Sequence, residues 1–368
     1  MRSDIPHVPE DVPGAVPDWS KVGVIDCDVH NNVPAIEALY PYLSDHWRDY
    51  VIEHGVRSLE TTAYPRGAPL SARPGSRPSS GGPPGSDLAL VREQLLDPYA
   101  LRYAIVNCGY GIPLIHNEDW AASMARAVND WQVAEWLKRE PRLRASLVVA
   151  HQSPELAAQE IERLGPHPGF VQVLLPVRTE MPLGKRYYWP IYAAAERHDL
   201  AIGIYAGSGS GNPILPVGWP SYYLEDYVSL AQAFQSQVIS LVSEGVFTKF
   251  PGLRVVLIEG GFTWLPALMW RLDKNWKGLR REVPWVDQLP SQIIREHIRL
   301  TIQPVDEPPN PEHLRQIMEQ IGSDDVLLFA TDYPHWHFDT FADALPVALP
   351  SDLAYKICVA NAQAVYRL

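Results

Sequence analysis

Eight apolar, β-type runs alternate with helical stretches along this 368-residue chain, and the fold this predicts is a (β/α)8 TIM barrel. Two further observations favour a closed barrel over an open sheet. Ligand-type residues follow the first run, in Ile25-Asp26-Cys27-Asp28-Val29-His30, and the last, in Leu328-Phe329-Ala330-Thr331-Asp332-Tyr333-Pro334-His335. Most of the chain separates these segments, so they meet only if the first and last strands are neighbours. No Gly-x-Gly-x-x-Gly turn follows any strand, and Ser208-Gly209-Ser210-Gly211 precedes Asn212-Pro213 rather than a helix, against a doubly wound nucleotide-binding sheet.

The elements follow in order. Residues 1–21 are polar and Pro-rich and read as a loose N-terminal arm; residues 22–368 form the barrel. Val22 to Cys27 is the first strand and Pro34 to Leu43 a short helix. An insertion occupies residues 44–98, and within it Thr61 to Asp87 is too rich in Pro and Gly for a helix or a central strand. A loop this long is either a mobile surface segment or a lid. Then come strands at Tyr103–Val106, Ala145–Val149, Phe170–Leu175, Ala201–Ile204, Arg254–Ile258, Ile298–Ile302 and Val326–Phe329. Several are continuous apolar runs, as parallel strands buried on both faces should be. The intervening helices are Glu118–Lys138, Pro154–Leu164, Pro190–His198, Ser229–Val246, Phe262–Asn275, Pro290–His297 and Pro311–Ile321. Trp120, Met124, Val128 and Trp131 make a core-facing stripe at helical spacing.

Composition narrows the function. A formal net charge of -12 argues against nucleic-acid binding, and 46% hydrophobic residues can build a large core. No apolar run approaches the ~18 residues of a membrane span. The first 21 residues lack the apolar core of a signal peptide, and the three cysteines (Cys27, Cys108, Cys358) lack metal-type spacing, so a cytoplasmic location is expected.

In such barrels the chemistry sits at the C-terminal ends of the strands. Asp28 and His30 alternate about Val29 and leave one face of the first strand, where a carboxylate and an imidazole can share a divalent ion. The other ends carry Asn107, His151, Arg178, Tyr205, Glu259, Gln303 and Asp332, with His335 just beyond. A polar group at nearly every strand end points to a site rather than to a set of caps. Trp219, Tyr222 and Tyr223 follow the fifth strand and either wall an aromatic pocket or pack the loop down.

These residues resemble the amidohydrolase-related proteins grouped with aminocarboxymuconate semialdehyde decarboxylase. The resemblance runs from Val22 to Leu368 and is carried by Asp26-Cys27-Asp28-Val29-His30, by Val256-Leu257-Ile258-Glu259-Gly260-Gly261-Phe262 with Trp264-Leu265-Pro266, and by Thr331-Asp332-Tyr333-Pro334-His335. It implies a metal-dependent enzyme that splits C–C or C–N bonds with zinc or manganese, and a homodimer. It makes Asp28 and His30 the first-strand metal pair and Asp332 a ligand that also accepts a proton. Two positions depart from the pattern: Tyr205 stands where a histidine ligand is usual, and Glu259 where a catalytic histidine is usual. His337 stands where one branch more usually has an aspartate. His151 or Glu259 is then the candidate for the missing ligand.

The function expected is non-oxidative decarboxylation of an aromatic or unsaturated carboxylic acid, a small-molecule substrate. Asp28, His30, Asp332 and His151 are the expected metal ligands, and Arg178, Trp219 and Tyr222 the expected substrate contacts. Asp332, Glu259, His335 and Tyr205 are the catalytic candidates. Two rival readings remain: hydrolysis of an amide, lactone or C–C bond at the same ligands, and a metal-free enzyme or binding protein whose site has degenerated around Tyr205.

Overall fold

The computed structural model describes residues 23–59, 72–207, 218–335 and 347–368. The N-terminal arm, the part of the insertion from Thr61 to residue 71, Ser208–Gly211 and His337 lie outside the described residues. Eight strands, β1 (Ile25–Val29), β2 (Tyr103–Val106), β3 (Leu143–Val148), β4 (Phe170–Pro176), β5 (Ala201–Tyr205), β6 (Val255–Ile258), β7 (Ile298–Thr301) and β8 (Leu327–Leu328), lie in sequence order and are parallel at every pairing. The ring closes just past β8. There Cys27 N donates to Phe329 O at 2.9 Å, Asp332 N to Asp28 O at 3.1 Å and His30 N to Tyr333 O at 2.7 Å. This closure brings the two ligand-bearing segments side by side.

The strands are Val-, Ile- and Leu-rich because both faces are covered; β4, β5 and β6 are buried throughout. Outward residues pack on the helices Glu118–Trp131, Pro154–Leu164, Trp189–Arg197, Leu230–Ser243, Leu265–Leu279, Pro290–His297 and Glu312–Ile321. The inward face departs from an all-apolar barrel. Asn107, Ser146 and Gln172, fully buried on β2, β3 and β4 or just beyond, hydrogen-bond one another across the interior.

Several expected boundaries move. The first strand runs over Ile25–Val29 rather than Val22–Cys27, so Asp26 and Asp28 lie inside it. Carboxyl side chains are tolerated there because each accepts a hydrogen bond: Thr331 Oγ1 donates to Asp26 at 2.6 Å and Asn107 Nδ2 to Asp28 at 2.9 Å. The helix from Glu118 is α-helical only to Trp131 and continues as a π-helical turn over Gln132–Leu137. In that turn Gln132 points inward, donating to Ser146 O and accepting from Asn31 Nδ2, both at 3.1 Å.

The described residues of the insertion carry more structure than its composition suggests. It contains a helix over Asp45–Glu53 and helical turns over Leu88–Leu96. Its Pro- and Gly-rich stretch forms no regular element over residues 73–87, yet it docks on the barrel mouth. Arg73 N donates to Pro334 O at 2.9 Å, Asn32 N to Gly85 O at 3.1 Å and Asn32 Nδ2 to Pro84 O at 2.6 Å.

Candidate active site

Four side chains from three strand ends converge at the C-terminal mouth. His30 follows β1, Glu259 follows β6, and Asp332 and His335 follow β8. Their ligand atoms all lie within 4.8 Å of one another. His30 Nε2 sits 2.8 Å from Asp332 Oδ1, 2.9 Å from Glu259 Oε1 and 3.6 Å from Asp28 Oδ1. His335 Nδ1 is 2.9 Å from Asp332 Oδ2, and its ring stacks on that of His30 with centroids 5.0 Å apart. Asp28 and Asp332 are fully buried, Glu259 and His30 nearly so.

The backbone of this cluster is strained. Glu259 and Asp332 adopt φ of +63° and +58°, a region L-residues avoid. Such conformations persist where surrounding structure enforces them, and they concentrate at functional sites. Part of the enforcement is visible: Glu259 N donates to Thr301 Oγ1, and Asp332 N pairs with Asp28 O, both at 3.1 Å.

The electrostatics select for a cation. Burial favours the neutral acid and pushes the Asp28 carboxyl up, against the pull of His30. Burial, with the Asp332 charge, likewise raises Glu259 to about 8. Burial disfavours a charged His30, but Asp28, Asp332 and Glu259 outweigh it and raise the imidazole well above its usual value. For Asp332, burial is outweighed by His335 and His30, which hold the carboxylate ionised. The surroundings of His30 Nε2 therefore favour positive charge at the point where three carboxyl groups meet. Asp28 Oδ2 has no hydrogen-bond partner among the described residues, although it is shut off from solvent. An orphaned buried carboxylate oxygen beside converging oxygen and imidazole donors fits a divalent ion.

The remaining predicted residues separate. Tyr205 Oη lies 3.4 Å from His30 Nδ1, on the opposite side of the imidazole from the carboxylates. His151 is buried at the end of β3, where desolvation lowers its imidazole to about 4, and it is not among the four converging residues. Arg178 is ion-paired to Asp226, which occupies the charge expected to meet a substrate. Trp219 and Tyr222 are 59% and 72% exposed. Tyr222 caps the short helix Tyr223–Val228, where its N–H bonds Glu225 at 2.9 Å. The aromatic residue of this helix that senses the site is Tyr227, whose phenol is raised by burial and by the charges of Asp332 and Glu259.

Sequence reasoning placed Asn107 at a strand end but gave it no role, and it did not single out Tyr227. Asn107 holds Asp28, and its own Oδ1 accepts from Gln172 Nε2 at 3.0 Å and from Ser146 Oγ. The available signal was a polar residue at inward positions of apolar strands, Ser146 and Gln172. Tyr227 had no comparable signal, because it lies on a helix rather than at a strand end. A cavity of ≈ 100 Å³ between helix Glu312–Ile321 and the C-terminal helices, lined by Arg315, Leu327 and Leu353, opens near the start of β8, away from the cluster.

A closed parallel (β/α)8 barrel with buried carboxylates and imidazoles at its C-terminal mouth defines the class of metal-site barrel enzymes. The chain belongs to the amidohydrolase family, whose match covers residues 25–368. A gamma-resorcylate decarboxylase of Polaromonas sp. is 25% identical over 293 residues, covering 77% of this chain and 88% of that protein. One from Rhodococcus jostii is 24% identical over 306 residues, with the same coverage. Among solved structures, an amidohydrolase from Mycobacterium avium subsp. paratuberculosis superposes with a TM-score of 0.72 at 21% identity, covering 94% of this chain and 99% of that one. The Polaromonas dihydroxybenzoic acid decarboxylase, solved with manganese and 2-nitroresorcinol, gives 0.65 at 22% identity, covering 94% and 97%.

Proposed function

We propose that this chain is a metal-dependent, non-oxidative decarboxylase of an aromatic carboxylic acid. The observation that carries the reading is the meeting of Asp28, Glu259 and Asp332 around His30 Nε2, buried at the barrel mouth. The decarboxylase activity of the curated relatives supports the choice of reaction. His30, Asp332 and Asp28 would hold the ion, and a set richer in oxygen than nitrogen suits manganese better than a softer metal. When bound, the ion supplies an anchor for the substrate carboxylate or a neighbouring oxygen and neutralises charge there.

The roles of the chain's own groups follow from their electrostatics. Asp332 is held ionised by His335 and His30, which suits a ligand. Glu259 is the carboxyl that keeps a proton near neutral pH, with its pKa raised to about 8, which suits a general acid. In the reaction Glu259 gives its proton to the ring carbon bearing the carboxylate. The C–C bond electrons stay on that carbon, form the new C–H bond, and carbon dioxide leaves. Tyr205 and His335 orient His30 and Asp332.

The test is purified protein loaded with manganese and offered 2,6-dihydroxybenzoate and 5-carboxyvanillate, with carbon dioxide measured directly. Release that is lost on chelation and restored by manganese is expected. Hydrolysis of amide or lactone substrates without carbon dioxide would move the reading to hydrolase; undiminished activity after exhaustive chelation would remove the metal from it. A homodimer and a cytoplasmic location complete the proposal. The buried free thiols of Cys27, Cys108 and Cys358 support the second; light scattering at micromolar concentration tests the first.

A further inference from the structure

Asp332 keeps a backbone φ of +58°, and such a conformation lasts only if the residues on both sides of it are held. Thr331 is held by Asp26, whose Oδ1 accepts from its N–H at 3.1 Å. Tyr333, on the other side, is almost fully buried and is held at both ends. Its carbonyl accepts from His30 N at 2.7 Å, and its phenol donates to Gln94 Oε1 at 2.8 Å. Gln94 belongs neither to a strand end nor to the reacting cluster. It sits in the insertion, in the π-helical turn Arg92–Leu96, where Asp97 N reaches back five residues to Arg92 O at 3.0 Å. Such turns are rare and concentrate at functional sites.

The amide of Gln94 has its polarity fixed. Gly75 O can only accept, so Nε2 faces it at 3.0 Å, and Oε1 is left to accept from the Tyr333 hydroxyl. Gly75 belongs to the docked stretch of the insertion, two residues beyond Arg73. There Arg73 N donates to Pro334 O at 2.9 Å, and Ala72 pairs antiparallel with His335. One side chain therefore ties together the π-helical turn, the docked stretch and the segment that carries Asp332 and His335. His335 in turn sets its Nδ1 2.9 Å from Asp332 Oδ2. We propose that Gln94 is a positioning residue of the metal site, and that through Tyr333 it makes docking of residues 72–87 and binding of the metal ion mutually dependent. The inference rests on the metal ligation in the proposed function and is independent of the substrate. If docking favours the arrangement of Asp332 that binds the ion, reciprocity requires the ion to favour docking by the same factor.

Two variants and one exchange measurement test it. Gln94→Ala removes both hydrogen bonds from a half-buried side chain, and Tyr333→Phe removes only the hydroxyl. Each should weaken manganese binding in calorimetry by about fivefold or more, the lower end of ordinary coupling between sites. The double variant should bind no more weakly than the worse single one, because both lose the same link. In wild type, saturating manganese should slow hydrogen exchange at the Arg73 amide by about the same factor, and in Gln94→Ala that protection should vanish. Unchanged affinity in both variants, additive losses in the double variant, or Arg73 exchange indifferent to manganese in wild type overturns the inference. Should Gln94→Ala fail to fold by circular dichroism, Tyr333→Phe and the wild-type exchange decide it. If wild type binds no manganese, the metal reading falls by itself. Gln94 is then judged on the metal-free protein, at the amides of His30 and His335, which donate to Tyr333 O and Asp332 O. Both variants should speed exchange there by about fivefold or more. Faster exchange at Arg73 alone overturns the positioning role.

Discussion

At the scale of single residues, the site depends on groups that hold the reacting ones. Asn107 has both ends of its amide committed: Oδ1 accepts from Gln172 and Ser146, so Nδ2 must donate to Asp28 Oδ1. That leaves Asp28 Oδ2 as the oxygen free to meet an ion. Asn107→Leu should therefore weaken manganese binding by about 10–100-fold, the usual cost of losing a ligand's supporting hydrogen bond. Titration calorimetry reads it, with circular dichroism to show the barrel intact; unaltered affinity in a folded variant would remove Asn107 from the site. Glu259 makes a second prediction. Its carboxyl titrates at 4.5 when free and at about 8 in the folded chain. Across that window the native state keeps a proton that the unfolded state has lost, so metal-free protein should lose stability as pH rises from about 4.5 through about 8. Glu259→Gln should flatten this dependence and abolish carbon dioxide release. Thermal melts over that range check it, and parallel profiles for the two proteins would contradict it.

At the scale of elements, the docked part of the insertion is the feature that composition concealed. Pro and Gly exclude helix and strand from it, and that much the residues 73–87 obey. Their order comes instead from backbone hydrogen bonds to the ends of β1 and β8. Gly85 is the tightest point. Its φ is +78°, and a Cβ added there would lie 2.4 Å from the carbonyl oxygen of His30. Gly85→Ala should therefore cost about 1–3 kcal/mol and also lower manganese affinity, because relief of the clash displaces His30. Gly81→Ala is the control: φ is +88° but no atom lies within 4 Å, so only the conformational cost of about 1 kcal/mol is expected. Denaturant unfolding and calorimetry on both variants decide the matter. If the two behave alike, the insertion does not press on His30.

At the scale of the whole molecule, closure of the barrel joins the two ends of the chain at one site, so occupancy of that site and stability of the fold are linked. Manganese at a hundred times its Kd should stabilise the protein by about 2.7 kcal/mol, and a chelator should reverse the gain. A Tm indifferent to manganese would show that the cluster holds no ion. The sequence by itself determined the architecture, because strand–helix alternation and doubly buried apolar runs are local signals and repeat eight times. It also determined that His30, Glu259 and Asp332 lie just past strand ends, because position along a strand is read from the same periodicity; Asp28, expected past its strand, lies inside β1. Only the tertiary structure decided which strand-end groups meet. Arg178 and His151 stand at equally suitable positions, yet one is bound by Asp226 from a helix nearly fifty residues on, and the other stands outside the converging four. The position of the Tyr205 hydroxyl, 3.4 Å from His30 Nδ1, was likewise not legible in the sequence. The reason is geometric. Periodicity fixes the face and the height of a side chain, whereas reach across the mouth depends on rotamers, on strained φ at Glu259 and Asp332, and on partners supplied by distant segments.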